Sequence, residues 1–189
     1  MRLLRLAFMI WLSLATCHAT LLQILDLNQL TKESSAVVHG RIEASRVEWN
    51  TARTRILTVY TVRAERYLKG FLGPTFELTE PGGELHGLAM HISGAPHFRL
   101  GEEAVLFVWT DGVRGRQQAI GFEQGVFRVR RDPRTGMKLL SRSAPLRKGG
   151  EVTSAGRGAG AAAGRTAGEL SEFLAQVSET VERVKGVRQ

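Results

Sequence analysis

Three histidines close together in the chain are the first residues that could carry chemistry. They are His86, His91 and His97. A zinc site needs three or four nitrogen, sulfur or oxygen ligands that converge at about 2.0–2.3 Å. The chain contains no HExxH and no CxxC motif, and Glu84 is the only nearby carboxylate before Glu102. We therefore expect exposed polar loops rather than a metal site, and a metal-dependent enzyme that uses the loop histidines is the second alternative function.

Side chains for nucleophilic or acid–base catalysis are sparse. The single cysteine is Cys17, no GxSxG motif occurs, and the three aspartates fit cap or turn roles. Glu102 and Glu103 are adjacent on a predicted strand, where neighbouring side chains point to opposite faces, so they do not form an acid–base pair. Neither a P-loop motif nor GxGxxG is present. We predict no catalytic residue and no cofactor.

Two loops shaped by glycine and proline are the predicted binding surface. They run from Pro81 to Gly87 and from Gly94 to Gly101. Binding residues concentrate on loops that a rigid scaffold holds in place. The candidate binding residues are Pro81, Gly82, Gly83, His86, His97, Phe98 and Arg99. The alternative, that these residues serve only turn geometry, stays open.

The scaffold for these loops is predicted by an alternation of apolar and polar residues from Ser35 to Gly70. The alternation has the period of two that a half-buried strand needs, and it places His39 on the polar face. The stretch therefore predicts a hairpin of two long strands. After Ala44 the apolar residues shift to odd-numbered positions, which predicts a bulge or a strong bend around Ser45 and Arg46.

Shorter apolar segments predict the remaining strands, at 76–79, 88–92, 103–109, 118–130 and 137–140. The segment EAVLFVW, which begins at Glu103, is apolar on both faces and predicts a central strand that is covered on its outer side. Gly121 and Gly125 indicate a kink in the strand over 118–130. A long, bent first strand is typical of small barrels. We therefore predict a mainly β fold, a small closed or partly open OB-like (Greek-key) β-barrel over residues 20–148.

Two helices are predicted outside the barrel. Asp26 and Gln29 predict a capping box for a short helix over 26–34. Apolar residues at helical spacing predict a terminal amphipathic helix over 168–186, with a capping box at Thr166 and Glu169. The Gly/Ala-rich stretch 149–167 predicts a flexible linker. Packing of the terminal helix on the barrel and its use for a partner or a dimer both stay open.

The first 19 residues have the features of a signal peptide. Arg2 and Arg5 precede an uncharged apolar run that is too short to span a bilayer, and cleavage is predicted after Ala19. The alternative is lipoprotein processing, with a lipid anchor at Cys17. Either route predicts an extracytoplasmic location, periplasmic or secreted. No later segment predicts a membrane span.

The formal charge is +8, from 26 Lys and Arg against 18 Asp and Glu. Such an excess permits attraction to polyanions, but the charges are spread along the chain rather than collected in blocks. A nucleic-acid partner is disfavoured because the chain carries a predicted export signal. We expect the partner to be another exported protein.

Several short motifs together resemble a family of uncharacterised exported bacterial proteins. These motifs are SAVVHGRI, a strand ending in LKG, PGGE, GAPHF and GFEQGVFRV, within residues 27–129. The strand pattern also resembles, more distantly, the netrin-like (NTR) domain, the OB-type barrel of tissue inhibitors of metalloproteinases. Those inhibitors are braced by disulfides and chelate the protease zinc through an N-terminal cysteine, whereas this chain has only Cys17. The resemblance implies the fold and the compartment. The sequence thus favours an exported non-enzymatic binding module of unknown ligand, with an inhibitor or escort of an exported metalloprotease as the first alternative.

Overall fold

Among the residues that the structure describes, the fold is built mainly from β-strands, with one helix before the sheet and one after it. The computed structural model describes residues 24–143, 147–148, 151–152 and 165–186, so the predicted signal peptide and most of the predicted linker lie outside the described residues. The strands are β1 (Ala36–Trp49), β2 (Ile56–Lys69), β3 (Thr75–Pro81), β4 (Gly83–Leu85), β5 (Leu88–Met90), β6 (Glu103–Thr110), β7 (Gln117–Ala119), β8 (Val126–Arg131), β9 (Lys138–Arg142), β10 (Arg147–Lys148), β11 (Glu151–Val152) and β12 (Arg165–Glu169). The helices are α1 (Leu27–Glu33) and α2 (Leu170–Gly186), and a 3₁₀ turn spans Phe122–Gly125.

β1 and β2 form the long antiparallel hairpin that the alternation predicted. Val38, Ile42 and Val62 face the barrel interior and are almost completely buried. The bulge, however, lies at Glu43, where the pairing with β2 skips one residue, and not near Ser45 and Arg46. Two further register shifts in the same pairing, between Val37 and Val38 and between His39 and Gly40, precede it.

Five strands close into a barrel in the order β1, β2, β3, β7 and β6, and the pairing of β6 with β1 completes the closure. β3 and β7 pair in parallel through Leu78 and Gln117, whereas the other pairings of the barrel are antiparallel. The predicted fold class is confirmed: the protein is mainly β, with a small closed barrel, a short N-terminal helix and a C-terminal helix. The finer OB-fold assignment stays a prediction.

The single strand predicted over 118–130 is wrong, because the segment is broken into β7 and β8. β7 pairs with residues 108–110 of β6, and β8 pairs with residues 103–106 along the same edge. The 3₁₀ turn carries the chain from one pairing to the other. Gly125 is required there, because an added Cβ would lie 2.5 Å from the carbonyl oxygen of Ile120. Alternation could not reveal the break, since both parts still direct apolar residues into the cores.

A second core covers the outer face of the barrel. β8, β9 and β12 continue the sheet beyond β6. Helix α2 packs on β9 and β12, and helix α1 packs against α2 and β6. The ring of Phe173 on α2 lies 4.5 Å from that of Phe127 on β8, and Leu30 on α1 belongs to the same cluster. β6 is buried on both faces, with Leu106 directed inward and Phe107 outward. The prediction of a central, covered strand is confirmed, and α2 packs back on the sheet.

The N-terminal ends of the two helices differ, because α1 has a capping box whereas α2 directly follows a strand. In α1 the capping box is confirmed, since Gln29 N–H donates to Asp26 Oδ1 and Asp26 N–H donates to Gln29 Oε1. In α2 the first helical residue is Leu170, and the residues just before it form β12, which pairs with β9. The predicted capping box at Thr166 and Glu169 is therefore wrong, because Thr166 lies in a strand opposite Ser141.

Candidate binding site

The segment predicted as an open loop from Pro81 to Gly87 is a small hairpin of β4 and β5, with Pro81 as the last residue of β3. His86 and Gly87 form its turn, both with positive φ, and His86 is exposed. Gly83 begins the hairpin at a φ of 133°, where an added Cβ would lie 2.7 Å from the Thr58 hydroxyl. Gly83 therefore serves the backbone conformation at the start of β4 and its close packing on Thr58.

The two predicted binding loops meet at His97. The rings of His91 and His97 stack with centroids 6.0 Å apart and planes 15° apart. An added Cβ at Gly82 would lie 3.9 Å from His97 Cε1. Within the described residues, the loop histidines do not belong to any group of three possible metal ligands. They form a stacked pair, with His86 at the turn of the hairpin.

Phe98, predicted as a binding residue, lies in the barrel core. It is 9% exposed, and its ring meets that of Tyr60 edge to face at 5.0 Å. Its backbone N–H donates to the Tyr60 hydroxyl at 3.3 Å. Phe98 thus anchors the loop 94–101 to the barrel, while its neighbours His97 and Arg99 remain exposed.

A groove of about 600 Å³ lies between this loop and β8. Its lining includes the predicted residues His97 and Arg99, together with Leu100, Arg128 and Arg130. Arg99 and Arg130 are exposed, and within the described part of the chain neither guanidinium has an ion pair or a hydrogen bond. We call this site the arginine groove.

Arg128 ties the walls of the arginine groove together. Its guanidinium donates to Glu123 at 2.6 and 2.8 Å, and its Nε lies 2.7 Å from Glu102 Oε1. It also donates to the His97 carbonyl at 3.1 Å and lies 5.5 Å from the centroid of the Phe98 ring. Burial lowers the pKa of Arg128, but Glu123 and Glu102 outweigh burial and raise that pKa above its ordinary value. Arg128 therefore stays charged, and its two carboxylate partners neutralise that charge.

A cluster of ionisable side chains on the outer face of the barrel was not predicted from the sequence. His39 Nε2 lies 2.7 Å from Glu103 Oε1 and 3.7 Å from Glu65 Oε2, and these three residues are the one group of possible metal ligands among the described residues. Lys138 Nζ lies 2.6 Å from the same Glu103 oxygen, and Arg41 donates to the other at 3.0 Å. Two cations already contact the Glu103 carboxylate, so the arrangement fits an ion-pair network better than a metal site.

The pKa of Glu103 follows from this network. Burial by itself would raise that pKa, but hydrogen bonds from Lys138 and His39 outweigh burial and hold it below its ordinary value. Glu102 pairs with Arg128 at the arginine groove, whereas Glu103 pairs with His39, so the prediction that the two glutamates point to opposite faces is confirmed. His39, in contrast, was predicted on the polar face of its strand, but it is only 7% exposed.

No helix in the part of the chain that the structure describes is long and apolar enough to cross a membrane. The resemblance to the netrin-like domain stays a prediction, so the residues of the site themselves have to support a functional conclusion. Comparison of the chain with protein-family models, with curated proteins and with solved structures found no match.

Proposed function

We propose that the protein is an extracytoplasmic binding module that recognises an acidic segment of another exported protein through the arginine groove. The observation that carries the proposal is the difference between the arginines of the groove. Arg128 is neutralised by Glu102 and Glu123, whereas Arg99 and Arg130 have no acidic partner among the described residues. The groove therefore offers two guanidinium groups to a ligand.

Guanidinium groups suit this role because their planar fork binds carboxylates through two parallel hydrogen bonds. The volume of about 600 Å³ lies within the usual range for ligand sites, about 300–1,000 Å³. Leu100, which is 66% exposed beside Arg99, adds an apolar contact that a peptide side chain could cover. The chemistry fits a short acidic peptide that also carries an apolar residue.

The rigidity of the groove supports the same function. Phe98 is anchored in the barrel core, and Arg128 bonds to the His97 carbonyl, so the loop is fixed at neighbouring points. A preformed site loses less conformational entropy when a ligand binds. The extracytoplasmic location rests on the positive N-terminal residues and the apolar run that follows them.

The test is fluorescence anisotropy of a labelled Glu-Leu-Glu-Glu-Leu-Glu peptide with the purified protein. We expect the double variant Arg99→Glu/Arg130→Glu to weaken binding by about tenfold or more, equivalent to about 1.4 kcal/mol. The matched control is Arg53→Glu/Arg55→Glu, which makes the same charge change in the exposed β1–β2 turn. Equal weakening by both double variants would show only the effect of net charge and would contradict the proposal.

A further inference from the structure

A second cavity, of about 250 Å³, opens beside the end of β3 and shares no lining residue with the arginine groove. Its lining includes Glu80, Trp109, Ile120 and Phe122. Most of these residues are apolar, and Glu80 is the one carboxylate among the lining residues. A ligand in this cavity would therefore meet a single carboxyl group in a mostly apolar lining.

Glu80 is 2% exposed, which makes it one of the most completely buried large side chains among the described residues. Its Oε1 accepts the backbone N–H of Ala119 at 2.7 Å. Within the described residues it has no cationic partner. Glutamates are almost never fully buried unless they are paired, because the charged form loses its hydration. Glu80 therefore has hydrogen-bonding capacity that the described fold leaves unused.

The groups around Glu80 do not supply a counter-charge. Burial is the main reason why the pKa of Glu80 is raised to about 8, and the nearby Glu123 carboxylate raises it further, while the Ala119 N–H opposes the rise. Tyr60 on β2, whose own pKa is raised by burial, also interacts with Glu80. At neutral pH the carboxyl group is mostly protonated, and a cation entering the cavity would favour its ionised form.

Aromatic residues complete the environment. Trp109 is 43% exposed at the end of β6, so it borders the cavity and also reaches solvent. Phe122, which also lines the cavity, is half-buried. Aromatic faces attract ammonium ions, and an alkyl chain packs on the same surfaces. A buried carboxyl group and aromatic residues in the lining of one cavity are a suitable combination for an alkylammonium ion.

We propose that this cavity, formed by Glu80, Trp109 and Phe122, binds a primary alkylammonium group, either as a free amine or as a lysine side chain. On binding, the Glu80 carboxyl group releases its proton to solvent, and the resulting carboxylate pairs with the ammonium ion. The ammonium group keeps its three protons, so charge and atoms balance. The site shares no lining residue with the arginine groove and selects ligands of the opposite charge.

The test is isothermal titration calorimetry of the purified protein with n-butylammonium chloride and with Nα-acetyl-lysine N-methylamide. Binding of butylammonium alone would identify a free-amine site, and binding of both would include lysine side chains. Because binding releases a proton, affinity should rise by close to tenfold per pH unit between about pH 6 and 7 and level off above about pH 8. Failure of both probes to bind would overturn the proposal.

The variant Glu80→Gln should lose about tenfold or more in butylammonium affinity and should lose the pH dependence. The matched control is Glu84→Gln, which removes an exposed carboxylate from the β4–β5 hairpin and should leave affinity unchanged. Trp109→Leu should weaken binding severalfold, and it keeps the proposal testable if Glu80→Gln does not fold. Equal affinity for n-butanol and n-butylammonium, or unchanged binding by Glu80→Gln, would also overturn the proposal.

Discussion

Glu80 and Glu103 are both buried, yet their surroundings shift the pKa values of their carboxyl groups in opposite directions. Glu80 is 2% exposed and accepts one described backbone hydrogen bond, and its pKa is raised to about 8. Glu103 is 9% exposed, contacts His39, Arg41 and Lys138, and has a lowered pKa. The comparison shows that partners, rather than burial alone, decide whether a carboxylate stays charged.

The largest expected effect on stability comes from removing the Glu103 carboxylate from its ion-pair network. Glu103→Ala removes the carboxylate 2.7 Å from the buried His39 and takes away the acidic partner that Arg41 and Lys138 share, so we expect a loss of about 2–4 kcal/mol in the free energy of unfolding. Urea unfolding at pH 7 measures it. As a matched control, Glu43→Ala removes an exposed carboxylate that lies 2.7 Å from Arg63 and should cost less than about 1 kcal/mol. Equal losses would mean that the Glu103 network contributes no more than a surface pair.

The next effect is the pH dependence that Glu80 imposes. Its pKa in the folded protein, about 8, lies above its ordinary value of 4.5, so the folded state holds the proton more tightly than the unfolded state. The contribution of Glu80 to stability is therefore largest below about pH 4.5 and falls as pH rises to about 8, by an amount on the order of a few kcal/mol.

Glu80→Gln should remove this slope and should be more stable than the original protein at pH 8. Urea unfolding across pH 5–9 measures the difference. Glu103 supplies the opposite sign, because its pKa is lowered: its contribution is present above about pH 4.5 and is lost as pH falls further. Parallel stability curves for the original protein and Glu80→Gln would show that Glu80 has no raised pKa.

The smallest effect concerns one partner of Glu103. Lys138→Met removes a cation that lies 2.6 Å from Glu103 but leaves His39 and Arg41 in place, so we expect a loss of about 1 kcal/mol. The pKa of Glu103 should rise, because the hydrogen bond from Lys138 is a main cause of its lowering. Carboxyl NMR titration follows that pKa directly. A pKa that does not move on substitution would show that Lys138 is not a working partner in solution.

The helix cap, the central strand and the predicted binding residues show which features could be predicted from the sequence. The capping box of α1 depends on two residues three positions apart, and the segment EAVLFVW shows its burial on both faces in its own composition. Both were predicted correctly for that reason. The predicted binding residues His97 and Arg99 lie in the arginine groove, whereas Phe98 between them is a core residue. Alternation places a side chain on a face but does not say what covers that face.

By itself, the sequence determined the mainly β fold, the long first hairpin and the short leading helix, because each depends on local periodicity or on neighbouring residues. Only the tertiary structure decided the states of the buried ionisable groups. Glu103 on β6 contacts His39 on β1 and Lys138 on β9 because the strand pairings bring together residues that lie far apart in the chain. The Glu80 carboxyl group accepts a hydrogen bond from the Ala119 N–H across the parallel pairing of β3 with β7. Electrostatic interactions depend on distance in space, and the closure of the barrel sets those distances.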